Sequence, residues 1–71
     1  MRKLYRGTSP FGADSMYYVK DGKLAFMFWP DGMPLEEIKE KLEKAEDMFM
    51  YVELDYLEKI KDLRPITELV S

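Results

Sequence analysis

Apolar residues change their spacing along the chain. They form nearly continuous runs on either side of residues 20–23, and they recur every three or four positions after Pro34. This change predicts strands followed by a helix. The pair Asp21-Gly22 between the two runs is the strongest short-range signal for a two-residue type I′ turn. The pattern therefore predicts one β-hairpin from Tyr17 to Trp29.

The predicted turn sets the register of the hairpin, with Lys20 opposite Lys23. Because side chains alternate between the two sides of a strand, this register sorts the hairpin into two faces. The first face carries Tyr17, Val19, Leu24, Phe26 and Phe28, and the second carries Met16, Tyr18, Ala25, Met27 and Trp29. Both faces are largely apolar. One helix covers only one of them, so the other needs a cover, a partner or a ligand.

The three-to-four-residue repeat predicts an amphipathic helix that begins at Pro34, since proline suits the first helical position. Its apolar stripe consists of Leu35, Ile38, Leu42 and Ala45. We expect this helix to cover the first hairpin face. The core would then contain Val19, Leu24, Phe26, Phe28, Leu35, Ile38, Leu42 and Val52.

Residues 48–54 fit two structures. As a continuation of the helix they would give a ββα fold with one long C-terminal helix. As a strand they would turn Met48, Met50, Val52 and Leu54 to the core, and Phe49, Tyr51 and Glu53 outward. We favour the strand, because Glu46-Asp47 suits a turn and Asp55 begins a capping-box pattern for a second helix.

These elements predict an α+β fold, a small two-layer ββαβα domain with two helices and a three- or four-stranded antiparallel sheet. Residues 1–6 would supply the fourth strand, at an edge. The chain has 71 residues, which predicts a single domain over 1–71 with a small core. The initial methionine and the lack of an appended domain lead us to expect a complete small reading frame.

Composition excludes most kinds of catalytic site, because the sequence contains neither histidine nor cysteine. The common nucleophile pairs, zinc sites and imidazole acid–base chemistry need those residues. A pair of carboxylates could still act as acid and base. The acidic residues, however, lie mainly beside lysines on the predicted helix, where Glu36, Glu40 and Glu43 could bind a hard cation only weakly. We expect no enzyme activity, no cofactor and no metal site, with a carboxylate-dependent enzyme as an alternative.

Charge is unevenly distributed. Residues 1–29 hold five basic and two acidic residues, residues 30–71 hold six basic and twelve acidic residues, and the net charge is −3. The isoelectric point near 4.9 argues against a nucleic-acid partner. No signal peptide follows the basic start, and no apolar run reaches the ~20 residues of a membrane span. We expect a small acidic cytoplasmic protein that does not enter a membrane.

The aromatic residues give the best indication of function. If residues 48–54 pair beside the hairpin, six large side chains share the face opposite the helix: Met16, Tyr18, Met27, Trp29, Phe49 and Tyr51. Apolar patches of this kind usually mark interaction sites. A second helix carrying Leu57, Ile60 and Leu63 could instead cover part of this face.

The sequence thus predicts a non-enzymatic protein–protein interaction or regulatory module. It would dock its aromatic face onto a protein partner or, as a homodimer, onto a second copy. An inhibitor made by a virus or acting as an accessory protein is one instance of this class. The alternative is a module that binds single-stranded nucleic acid by stacking bases on the aromatic face, with Lys20 and Lys23 near the phosphates.

Overall fold

The computed structural model describes residues 2–69, without the side chains of Glu46 and residues 67–69. Five strands and one α-helix make up this part of the chain. They are β1 (Arg2–Thr8), β2 (Asp14–Lys20), β3 (Lys23–Phe28), α1 (Leu35–Ala45), β4 (Val52–Glu53) and β5 (Lys61–Leu69). Two 3₁₀ segments, Glu46–Met48 and Leu54–Lys59, flank β4. No helix in the described residues is both long enough and apolar enough to cross a membrane.

The strands form one antiparallel sheet in the order β4-β3-β2-β1-β5. The predicted α+β class is confirmed, although the sheet has five strands in place of three or four. The alternative with one long C-terminal helix is wrong, because α1 ends at Ala45. The predicted second helix is a six-residue 3₁₀ segment that lacks a side-chain cap. Pro65 follows in β5, an edge strand, where proline is tolerated.

The predicted hairpin is confirmed in position and register. Lys20 lies opposite Lys23, and Tyr18 lies opposite Ala25. At the turn, Asp21 and Gly22 have φ values of 51° and 77°. Positive φ at both central residues defines the type I′ turn, whose twist matches that of the strands it joins.

The core lies between α1 and the second hairpin face, so the expectation that α1 covers the first face was wrong. Ile38 and Leu42 of α1 are buried in one cluster with Leu4, Met16, Tyr18 and Ala25. Ala25 presents only a methyl group, which lets the helix side chains approach this face closely. Trp29, where the chain leaves β3, and Met33 and Leu35, which follow, pack against the same cluster.

The first hairpin face is covered only in part, by the 3₁₀ segment Leu54–Lys59. Tyr17 and Leu24 on this face are fully buried. By contrast, Phe26 is 43% exposed and Phe28 is 74% exposed, so their predicted place in the core was wrong. The cover reaches Phe26 only through the stacked ring of Tyr56, and both phenylalanines lie on β3 beyond its short pairing with β4.

Residues 48–54 do not form the predicted strand: only Val52–Glu53 is a strand (β4), and Met48 and Leu54 belong to the flanking 3₁₀ segments. The predicted inward and outward side chains are exchanged, except that Glu53 is exposed as predicted. Phe49 and Tyr51 pack against the core, whereas Met48 and Met50 are 83% and 89% exposed. The Phe49 ring meets Tyr18 edge-on at 6.0 Å, and an aromatic ring fills this margin of the core better than a methionine.

Candidate protein-binding surface

The structure brings the six predicted partner-binding residues to one face of the sheet, but α1 lies on that face. Met16 and Tyr18 are buried in the core beneath the helix. Trp29, Phe49 and Tyr51 are partly buried and pack against it, and Met27 is 38% exposed on β3. The face was expected to lie opposite the helix, and that placement was wrong. A role of these six residues in partner binding remains a prediction.

A different set of aromatic residues is exposed. We define the phenylalanine patch as Phe11, Phe26, Met27, Phe28 and Tyr56. These residues, with Ser9 and Ser15, line a groove of about 370 Å³. Phe11 is 93% exposed. Sequence reasoning missed the patch, although an isolated phenylalanine within the polar turn after β1 was a usable signal.

A compact turn between β1 and β2 holds Phe11 in place. The Ser9 amide donates to the Ala13 carbonyl, and the Gly12 amide donates to the Ser9 carbonyl, both at 2.8 Å. The Ser9 hydroxyl oxygen accepts from the amides of Phe11 and Ala13 at 3.3 and 3.1 Å. Gly12 has a φ of 84°, which glycine adopts without strain. The Phe11 ring is therefore exposed on a turn whose backbone is held by hydrogen bonds.

Phe26 is held between two other rings. It stacks on Tyr56 of the 3₁₀ segment, with ring centroids 4.9 Å apart and planes inclined by 5°. It also meets Tyr17 at 6.0 Å with a tilt of 33°. Aromatic pairs in these arrangements add to the stabilisation from burial alone. These two ring contacts therefore hold the Phe26 side chain in position, although part of it is exposed.

The patch lies along an open edge of the sheet. Within the described chain, β4 pairs with β3 only at Lys23 and Leu24. The Trp29 amide donates to the Asp14 carbonyl at 3.0 Å, so backbone groups of odd-numbered residues in β3 point toward β2. The N–H and C=O groups of Phe26 and Phe28 consequently point away from β2. No other strand in the described part of the protein pairs with them.

A second cavity lies on the helix side of the same edge. Its volume is about 100 Å³, and Met27, Met33 and Phe49 contribute to its lining. The remaining lining residues are Met16, Pro30, Ile38, Lys41, Leu42 and Ala45. Among the described lining residues, Lys41 is the charged one. The edge thus has apolar space on both sides, as a sheet edge that accepts an added strand requires.

An ion pair fixes the end of β3 where the patch begins. The Arg6 guanidinium donates to both carboxylate oxygens of Asp14, at 3.0 and 2.5 Å. It also lies over the Trp29 ring, 4.2 Å from the centroid. The hydrogen bond from Arg6 is the main cause that lowers the pKa of Asp14. The pair links β1 to β2 and holds Trp29 next to them.

The rest of the chemistry near the patch is sparse. The Tyr17 hydroxyl is buried without a hydrogen-bond partner among the described residues, and burial raises its pKa. The described residues contain no cluster of three or more candidate metal ligands. Comparison with protein-family models, with curated proteins and with solved structures gave no match. The phenylalanine patch is therefore the main structural indication of function.

Proposed function

We propose that this chain is a non-enzymatic protein–protein interaction module that binds its partner through the phenylalanine patch. One observation carries the proposal: Phe11, Phe28 and Phe26 are 93%, 74% and 43% exposed around one groove. Burying a phenylalanine side chain is worth about 1.5–3 kcal/mol. A domain of 71 residues that leaves three of them in water gives up stabilisation that it needs.

The rigid support of the patch also favours binding. Association normally costs free energy because side chains at the interface lose conformational freedom. The Ser9 turn already restricts the backbone at Phe11, and the stack on Tyr56 restricts the ring of Phe26, before any partner arrives. Aromatic residues held in this way are the usual anchors of protein interfaces.

The groove favours binding over catalysis. The described residues that line it include no carboxylate and no basic side chain. The Ser15 hydroxyl donates to the Ala13 carbonyl at 3.1 Å, and the chain has no histidine to activate it. The absence of basic residues from the lining also disfavours single-stranded nucleic acid, which needs cations near its phosphates.

Photo-crosslinking tests the proposal directly. A photoreactive benzoyl-phenylalanine replaces Phe11 in one protein and Met48 in a control. Met48 is 83% exposed and lines neither apolar cavity, so it matches Phe11 in exposure. In extract of the cells that make the protein, position 11 should give a discrete adduct, with a second copy or with another protein. Position 48 should not.

A variant in the phenylalanine patch provides a second part of the crosslinking test. Phe28→Ser, combined with the probe at position 11, should lose the adduct and keep the melting temperature within a few degrees, because Phe28 is largely exposed. Equal labelling from positions 11 and 48, or an adduct that survives Phe28→Ser, would contradict the proposal.

A further inference from the structure

We infer that the partner at the phenylalanine patch is a second copy of this chain, joined through the open edge of β3. This inference rests on the proposed function and names its partner. The two β3 strands run antiparallel about a two-fold axis at Met27. The two five-stranded sheets become one continuous sheet.

The backbone groups at the edge fit this arrangement. With Met27 opposite Met27 of the second copy, Phe26 lies opposite Phe28 of that copy, and the reverse pair follows by symmetry. Phe26 and Phe28 are the residues whose N–H and C=O groups point away from β2. Each of the two pairs therefore exchanges both backbone hydrogen bonds across the axis.

The length of the open edge selects this register. At one end, β4 already occupies the edge at Leu24, which pairs with Val52. At the other end, Pro30 has no N–H to donate. The free segment between them runs from residue 25 to residue 29, and its central residue is Met27. A different centre leaves fewer residues paired.

Alternating side chains of the second strand meet the two apolar cavities. A two-fold axis perpendicular to the sheet keeps corresponding faces on the same side. Phe26 and Phe28 of the second copy therefore reach the groove beside Phe11 and Tyr56, whose volume is about 370 Å³. Met27 of the second copy faces the helix side, where the cavity of about 100 Å³ lies. Strand addition gains its specificity from pockets of this alternating kind.

The exposed aromatic area approaches what a specific dimer needs. A whole aromatic side chain buries about 150–250 Å². With exposed fractions of 93%, 74% and 43%, the three phenylalanines supply at most about 300–500 Å² per copy. Two copies supply about 600–1,000 Å² before backbone and Met27 are included, against the ~1,000 Å² that a specific interface needs.

Charge does not oppose the pairing. Residues 25–29 contain no charged side chain, whereas strands that avoid pairing usually carry lysine or proline at such an edge. The nearest charges along β3 and β4 are Lys23 and Glu53, which already pair with each other at 2.9 Å.

A single cysteine tests the register. The chain has no cysteine, so in Met27→Cys only a bond between two copies is possible. Opposed residues of a non-hydrogen-bonded antiparallel pair have Cα atoms about 4.5 Å apart, within the range for a disulfide. Mild oxidation should convert Met27→Cys to a covalent dimer and leave Met48→Cys mostly monomeric. Equal rates for the two variants would overturn the inference.

Sedimentation of uncrosslinked protein tests the dimer itself. The parent chain of 8.4 kDa should reach twice that mass as concentration rises. Phe28→Ser should raise the dimer dissociation constant about tenfold or more. Phe28→Pro also removes an outward N–H that no strand in the described residues uses, and should weaken the dimer further. Met48→Ser is the control and should not change it.

The outcomes separate the inference from the proposed function. A parent that stays monomeric at every concentration, or a dimer unaffected by Phe28→Pro, overturns the inference. If a monomeric parent still gives a Phe28-dependent adduct with another protein from position 11, the proposed function stands without the homodimer. If position 11 gives no adduct above the Met48 control, both fail.

Discussion

Gly7→Ala should destabilise the protein, because β1 and the start of β5 lie too close for a side chain at this position. A Cβ atom on Gly7 would lie 2.6 Å from Cγ2 of Ile60. It would also lie 3.1 Å from the Lys61 carbonyl oxygen and 3.3 Å from the Leu63 Cα. Two of these three neighbours are backbone atoms, so relief requires movement of the strand.

Two opposing effects set the magnitude. Overpacking typically costs about 1–3 kcal/mol. Replacing glycine restricts the unfolded chain, which returns about 0.4–1 kcal/mol. The net loss should be about 1–2 kcal/mol, out of a total of about 4–10 kcal/mol for a domain of this size. Such a loss should lower the melting temperature by about 5–10 °C.

Thermal and denaturant unfolding of Gly7→Ala measure this effect, and Ile60→Leu is the matched second change. Leucine keeps the volume of isoleucine but has no Cγ2 branch, so it removes the closest contact of the new methyl group. The double variant should lose less stability than the two single variants together. A Gly7→Ala protein as stable as the parent would refute the close packing of residues 60–63 on β1.

Three further substitutions test the turn, the core and the ion pair. Gly22→Val should lower the melting temperature more than Ala13→Val, because valine disfavours the φ of 77° at position 22; equal effects would argue against the tight turn. Tyr17→Phe should leave stability at neutral pH unchanged or raised, because the buried hydroxyl has no partner within hydrogen-bond geometry among the described residues. Burial raises the pKa of Tyr17, so the parent should lose stability above about pH 10, where the unfolded chain ionises first, and Tyr17→Phe should lose less. Arg6 lowers the pKa of Asp14 in the folded protein, so this ion pair stabilises the fold above about pH 4. The stabilisation is lost as the pH falls through the folded pKa of Asp14. Identical acid unfolding of Asp14→Asn and the parent would contradict this.

The elements predicted correctly depend on residues close together in sequence. Asp21 and Gly22 define the hairpin turn whatever surrounds them, and the stripe of Ile38 and Leu42 defines α1. The choice of hairpin face for α1 was wrong, because both faces are apolar and local pattern does not separate them. The choice depends on Leu4, which β1 brings into the core from a distant part of the chain.

The C-terminal third was predicted less well, because its pattern fits several structures. The capping-box sequence at Asp55 gives a 3₁₀ segment without the side-chain cap that a stable α-helix start would use. Residues 61–69 show no clear alternation, and β5 pairs with β1 through two register shifts. Pairing with β1, a contact between distant residues, makes this segment a strand.

The predicted binding residues share only Met27 with the phenylalanine patch. Strand parity placed the six residues of the predicted aromatic face together on one side of the sheet. The patch itself depends on where β4 ends and on how the 3₁₀ segment positions Tyr56 beside Phe26. The end of β4 and the position of Tyr56 do not follow from the spacing of apolar residues in the sequence. The sequence therefore could not show which aromatic residues are exposed and which are buried.

Amide hydrogen exchange along β3 reports whether the edge of this strand is open in the monomer and becomes occupied in the dimer. In dilute protein, the amides of Ala25 and Met27 should be protected by β2, and those of Phe26 and Phe28 should exchange rapidly. As concentration rises, Phe26 and Phe28 should gain protection together, while Met48 stays unchanged. Protection of Phe26 and Phe28 in dilute protein, or their rapid exchange at every concentration with and without cell extract, would contradict the account.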